Sequence, residues 1–235
     1  MQPAVFPSQS NPPYRNLYKT SAMAGLGMLG IMLAQVAVFI IWPPPESVEG
    51  VFGLLQQNWL LGLLSLDLLY LLNNSILILI YLALFAALKP KFASASLIAL
   101  VLGLVGIAAY FASNPAFEML SLSRQFAAAG TESKRVIALA AGGAMLATYK
   151  GTAFDMYYVL NAACLLIFAA AMLRSGIFSR GTALWGLAAG VLMLIPSTAG
   201  TLGLIFSLAS LIPWAVFLIL ICLRFFRLSA HATPI

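Results

Sequence analysis

Predominantly apolar residues occupy Thr20 to Trp42, and comparable runs recur near 59–88, 94–113, 152–173, 181–198 and 202–223. A helix rising 1.5 Å per residue needs about 20 such residues to cross a hydrocarbon core of about 30 Å, so each run predicts one transmembrane helix. The expected fold class is therefore all-α: a polytopic bundle of six spans forming a single domain over 20–228. The first run exceeds a signal-peptide core and meets Pro43-Pro44-Pro45 without a small-residue cleavage pattern, so it is expected to persist as a helix. Residues 1–19, rich in Pro, Ser and Asn, predict a disordered tail, and 229–235 a short C-terminal one.

Between the spans the period changes. In Glu46 to Asn58 (ESVEGVFGLLQQN), Val48, Val51, Leu54 and Leu55 share one helical face, which predicts an amphipathic helix on the outer surface. Asn114-Pro115 opens another helix running to Ala129, with Phe117, Met119 and Leu120 beside Ser121, Arg124 and Gln125. Thr131, Lys134 and Arg135 open a third. Its tail, VIALAAGGAMLATY, is too short to span at about fourteen residues and suits an interfacial or re-entrant helix, although a seventh span is an alternative for 133–149. These elements precede the second and fourth spans, either as a lid or as interfacial anchors.

Charge tests the threading. Arg15, Lys19, Lys89, Lys91, Arg174, Arg180, Arg224 and Arg227 fall on one side of a six-span chain, and Arg124, Lys134, Arg135 and Lys150 on the other. The positive-inside rule then puts both termini in the cytoplasm of a cell (inner) membrane, and a seventh span would move Lys150 onto the wrong side. With 63% hydrophobic and 8% charged residues, the chain lacks the polar residues for a water-exposed globular surface. The net charge of +6 is scattered at span ends with no aromatic-interleaved basic patch, so the lipid bilayer is the expected partner and nucleic acid is not.

Helices in lipid associate through small residues. Gly27, Gly30, Ala34 and Ala37 predict a packing seam on the first span, and Gly186 with Gly190 one on the fifth. Cys164 and Cys222 sit in apolar context on different spans and are expected to be buried free thiols.

The candidate chemistry lies in the acidic residues, of which there are six. Asp67 and Asp155 lie in or at the edge of spans, where a carboxylate costs on the order of 3 kcal/mol and needs a partner, water or a ligand. Asp67 falls about 12 Å along its helix from Trp59, with Tyr70 and Asn74 on the same face and Asn73 beside them. Asp155, Tyr158 and Asn161 step along the fourth span, and Ser197 and Thr198 belong to the turn between the fifth and sixth. Together they predict an outward-facing polar cavity, with Lys150 as the nearest cation. Asp67 bonding to Asn73, Asn161 or a serine, to fix helix register, is the structural alternative.

Three functional classes fit: a protein binding a small molecule or lipid, a membrane enzyme using Asp67 and Asp155 as acid and base on a lipid-like substrate, or a structural subunit. Non-enzymatic use is favoured over catalysis, and a transporter of this size would need to form a homo-oligomer. The single histidine, His231, rules out multi-histidine metal sites, bis-histidine haem and Ser-His catalysis, so no metal or cofactor is expected. Lys150-Gly151-Thr152 has Tyr149 where a phosphate loop requires glycine. The environments of the two aspartates, Leu66-Asp67 and Phe154-Asp155, also differ from the motifs of intramembrane aspartyl proteases.

Three segments, NPAFEML (114–120), LATYKGTAFDMYYVL (146–160) and PSTAGTLGLIFSLASLIPW (196–214), resemble domain-of-unknown-function family 4386. The resemblance covers about Tyr18 to Leu228 and implies a multi-pass bacterial inner-membrane protein of similar length. It implies no activity and no catalytic residues.

Overall fold

The computed structural model describes residues 14–230, so His231 and most of the two expected tails lie outside the described residues. Within them the chain is helical, without strands, in the order α1 (Arg15–Ile41), α2 (Val48–Gln57), α3 (Trp59–Ser65), α4 (Leu68–Ser113), α5 (Ala116–Ala127), α6 (Glu132–Tyr149), α7 (Thr152–Ser175), α8 (Arg180–Leu192) and α9 (Gly200–Ala230). Four stretches, Arg15–Ile41, Leu68–Ala127, Glu132–Ser175 and Gly200–Ala230, are long and apolar enough to cross a membrane.

α4 is a helical hairpin. Its backbone leaves helical geometry at Phe92 (φ −136°, ψ 50°), just after Pro90. A straight helix of 46 residues would hold its ends about 70 Å apart, yet the Asn114 amide reaches the Leu66 carbonyl at 2.8 Å. The returning arm packs closely, since a Cβ on Gly103 would meet the Tyr81 ring at 2.5 Å. α4 packs against α1 and α7, α9 against α1 and α8, and α8 against α7, around a core that includes Leu84, Phe168, Phe217 and Phe225.

The ends of the bundle are distinct. Lys89 donates to the Tyr14 hydroxyl, Arg15 to the Ser229 carbonyl and Lys91 to the Ser175 carbonyl, gathering three helix junctions at one end. The opposite end carries α2, α3, α5 and α6, which share a second apolar cluster built on Val51, Phe52, Leu55, Leu63, Ala116 and Met119. Gln56 donates to the Ser123 carbonyl at 3.1 Å, and Gly142 gives α6 its close approach to Val48 and Phe52 of α2.

Five sequence expectations are corrected. The tail expected over 1–19 is helical from Arg15, because Tyr18 stacks on Phe225 and Arg15 bonds Ser229, contacts that composition does not reveal. Likewise Ser229 and Ala230, expected in the C-terminal tail, still belong to α9. The run 59–88 is broken at Leu66-Asp67 instead of forming one helix. The run 181–198 gives only α8, 13 residues or about 20 Å, since the chain leaves the helix ahead of Pro196. The seam on α1 is likewise not where expected. Gly27 and Gly30 face open space, while Ala22, Gly25, Met28, Met32 and Gln35 are the buried face and a Cβ on Gly25 would meet Cys222. Gly186 and Gly190 do pack closely, against Phe217 and Leu166, and both cysteines are buried and free.

Candidate cavity at the broken helix

Asp67 sits at the break itself, with left-handed backbone (φ 63°, ψ 27°) between α3 and α4. Asp tolerates this region better than most side chains, and such strained residues concentrate at functional sites. A broken helix within apolar surroundings leaves carbonyls without helical partners, which must be satisfied by side chains. Gln35 of α1, fully buried, donates to the Leu64 carbonyl at 3.0 Å, and Asn114 covers Leu66 from the far side. The Asp67 side chain is held from the cap, because the hydroxyl of Tyr149, the last residue of α6, donates to its Oδ2.

Above and beside this carboxylate lies a cavity of about 1340 Å³. Of the sequence candidates, Asp67, Tyr70, Asn74, Tyr158, Asn161, Ser197, Thr198 and Lys150 line it, together with Asn73. Asp155 does not. It occupies the first turn of α7, where the positive helix end favours a carboxylate, and accepts from the Thr198 hydroxyl. The two aspartates are therefore not brought to one surface. Lys150 is exposed at the cavity edge, while each aspartate is partnered by a hydroxyl instead.

Several lining groups are spent on the bundle. Asn161 accepts from the Tyr81 hydroxyl at 2.7 Å and donates to the Tyr157 carbonyl at 2.9 Å, so its amide ties α7 to α4. Tyr158 shares a 2.9 Å hydrogen bond with Ser207 of α9. Asn73 Oδ1 and Asn74 Oδ1 are buried without a hydrogen-bond partner, and Asp67 Oδ1 and the Tyr110 hydroxyl lie close to each other but make no bond of ordinary geometry.

The wall is aromatic. Tyr110 and Tyr157 lie 4.8 Å apart by ring centroid, Phe154 and Tyr158 5.3 Å, and Tyr157 and Tyr158 5.5 Å, with Tyr149 joining through Phe154 at 6.3 Å.

No known protein family, curated protein or solved structure matches the chain. The site is therefore read from its own chemistry.

Sequence reasoning missed Gln35, Tyr110, Tyr149 and Tyr157. For Gln35 the signal was present, as a lone amide in an apolar run, and such a residue in a membrane segment always asks for a partner. Tyr149 gave none, because its reach to Asp67 spans 82 residues and depends on how the cap docks.

Proposed function

We propose that the chain is a six-span inner-membrane protein of the family 4386 type that binds a small molecule or lipid in this cavity, which faces outward, with both termini cytoplasmic. In this reading α1, the two arms of α4, α7, the short α8 and α9 span, and α2, α5 and α6 form the outer cap. The carrying observation is that polar candidates from separate elements, Asp67, Tyr70, Asn74, Tyr158, Ser197 and Thr198, line a single cavity of about 1340 Å³, larger than the roughly 300 Å³ that a small ligand needs.

The orientation is supported by the end at which Arg15, Lys89 and Lys91 make their contacts, since all three belong to the basic side of the threading. Acid–base catalysis by two carboxylates gains no support, because Asp155 is not among the lining residues and its side chain accepts from the Thr198 hydroxyl. The proposal is tested by native mass spectrometry of the purified protein. A retained mass on the wild type that is lost in Asp67→Asn is expected. No retained mass on either form counts against ligand binding.

A further inference from the structure

We propose that the ligand is an amphiphilic organic cation, a protonated amine on an apolar body, whose N–H groups meet Asp67 and the open amide oxygens of Asn73 and Asn74. The inference deepens the cavity reading and rests on it.

The unmet hydrogen-bonding capacity of the lining has one sign. Asp67 Oδ1, Asn73 Oδ1 and Asn74 Oδ1 are all acceptors, and these residues are 7%, 8% and 2% exposed. The Asn74 amide orientation is set by its own donation to the Tyr70 carbonyl at 3.0 Å, which leaves the oxygen open. The Tyr110 hydroxyl, which lies beside the Asp67 carboxyl, either donates or accepts. Buried acceptors without partners are unfavourable, so a ligand that brings donors is selected over one that brings acceptors.

Charge narrows the class further. The groups that meet the Asp67 carboxyl among the described residues, the Tyr149 hydroxyl on Oδ2 and the Tyr110 hydroxyl beside it, are neutral, and none is a cation. The remaining charged lining groups are Glu46 and Lys150, both exposed at the edge. An anionic ligand would confront a buried carboxylate with no buried base to meet it. The faces of Tyr110, Phe154, Tyr157 and Tyr158 add an attraction that is specific to cations.

Between α1 and α9 much of the lining is apolar. Met28, Met32 and Val36 of α1 and Leu204, Leu208 and Leu211 of α9 all line the cavity. The two helices pack tightly near Gly25 and Cys222, whereas residues from their other halves line the cavity between them. A hydrocarbon or aromatic body fits there, with its ammonium toward Asp67.

The test uses three molecules with one skeleton: phenylbutylamine, phenylbutanol and phenylbutyrate, each titrated onto the full chain in nanodiscs by equilibrium dialysis. The amine is expected to bind at least about tenfold more tightly than the alcohol, with the carboxylate weakest. Asp67→Asn should abolish that preference while keeping the fold, because Asn also accepts left-handed backbone. Glu118→Gln, which removes an exposed carboxylate on α5, should leave it unchanged. Ser207→Phe, which fills the lining, should weaken all binding.

Equal binding of amine and alcohol, still weakened by Ser207→Phe, overturns the cation inference and leaves the cavity reading standing. An amine preference that persists in Asp67→Asn also overturns the inference. Binding of none of the three overturns it too, and the native mass measurement then decides separately whether the cavity holds another ligand.

Discussion

Asn114 donates its side-chain amide to the main-chain carbonyl of Leu66 at 2.8 Å, across 48 residues of sequence. This bond closes the helical hairpin at the level of the broken helix. It also supplies one of the two side-chain donors, with Gln35, that bond carbonyls at the end of α3. Asn114 serves the next element as well, since its Oδ1 accepts from the Ala116 backbone at 3.1 Å and so fixes the start of α5. One residue thus couples the break at Asp67 to the cap that covers it.

Replacing that residue should be costly. Asn114→Ala leaves the Leu66 carbonyl without its partner in a part-buried position and removes the turn bond to Ala116, for a loss of about 1 to 3 kcal/mol. Thermal unfolding in detergent, followed by circular dichroism, should show a lower midpoint than the wild type. Gln35→Ala should behave similarly through Leu64, with a cavity term added because Gln35 is fully buried. An unchanged midpoint in both would mean that the broken helix does not depend on these donors.

Tyr149→Phe separates the cap from the carboxylate. The variant keeps the ring beside Phe154 and removes the hydroxyl that bonds Asp67 Oδ2, so the bundle should fold while the junction of α6 and α7 loosens. Hydrogen exchange should rise over 66–70 and 146–150 and stay constant in the core arms of α4. The hydrogen bond to a charged group is worth about 1.5 to 3 kcal/mol, which sets the upper limit of the change in local opening. Unaltered exchange at both segments would show that the cap is held by its apolar cluster alone.

Much of this architecture was legible in the chain because bilayer physics is blunt: length and apolarity give helices whatever their neighbours. The gathering of Asp67, Tyr70 and Asn74 was legible for the same reason, as helical period puts them on one face. What sequence did not disclose depends on contacts between distant segments. The left-handed turn at Asp67 has no glycine or proline to announce it, and the side chains that bond carbonyls beside it, Gln35 and Asn114, are distant in sequence. Asp155 misled because depth along a helix says nothing of a neighbour such as Thr198, 43 residues away, claiming the carboxylate. The α1 seam misled through composition: Gly27 and Gly30 look like packing residues, but the rotation of the helix is set by its buried face at Gly25, Met28, Met32 and Gln35.

That last contrast is directly testable with two alanines. Gly25→Ala puts a methyl against Cys222 and, at 3.1 Å, Ile80, so it should destabilise by about 1 to 3 kcal/mol through overpacking. Gly30→Ala meets nothing within 4 Å and should be neutral or stabilising by up to about 1 kcal/mol from helix propensity. Unfolding midpoints of the two variants should therefore move apart. If Gly30→Ala were the more damaging, the helix would be rotated from the arrangement described, or a second copy would cover that face.

The proposed outward orientation of the cap has an independent check, because the native thiols, Cys164 and Cys222, are buried and should resist aqueous reagents. Against that silent background, Glu132→Cys introduces an exposed thiol at the start of α6, and Lys19→Cys introduces one near the opposite end of the bundle. The threading that puts Arg15, Lys89 and Lys91 on the cytoplasmic side requires the first to react with a membrane-impermeant maleimide added to right-side-out vesicles. The second should react only after the vesicles are opened. The reverse pattern would place the cavity mouth toward the cytoplasm. Labelling of both from the same side would be incompatible with the bundle itself, whose two ends carry these residues apart.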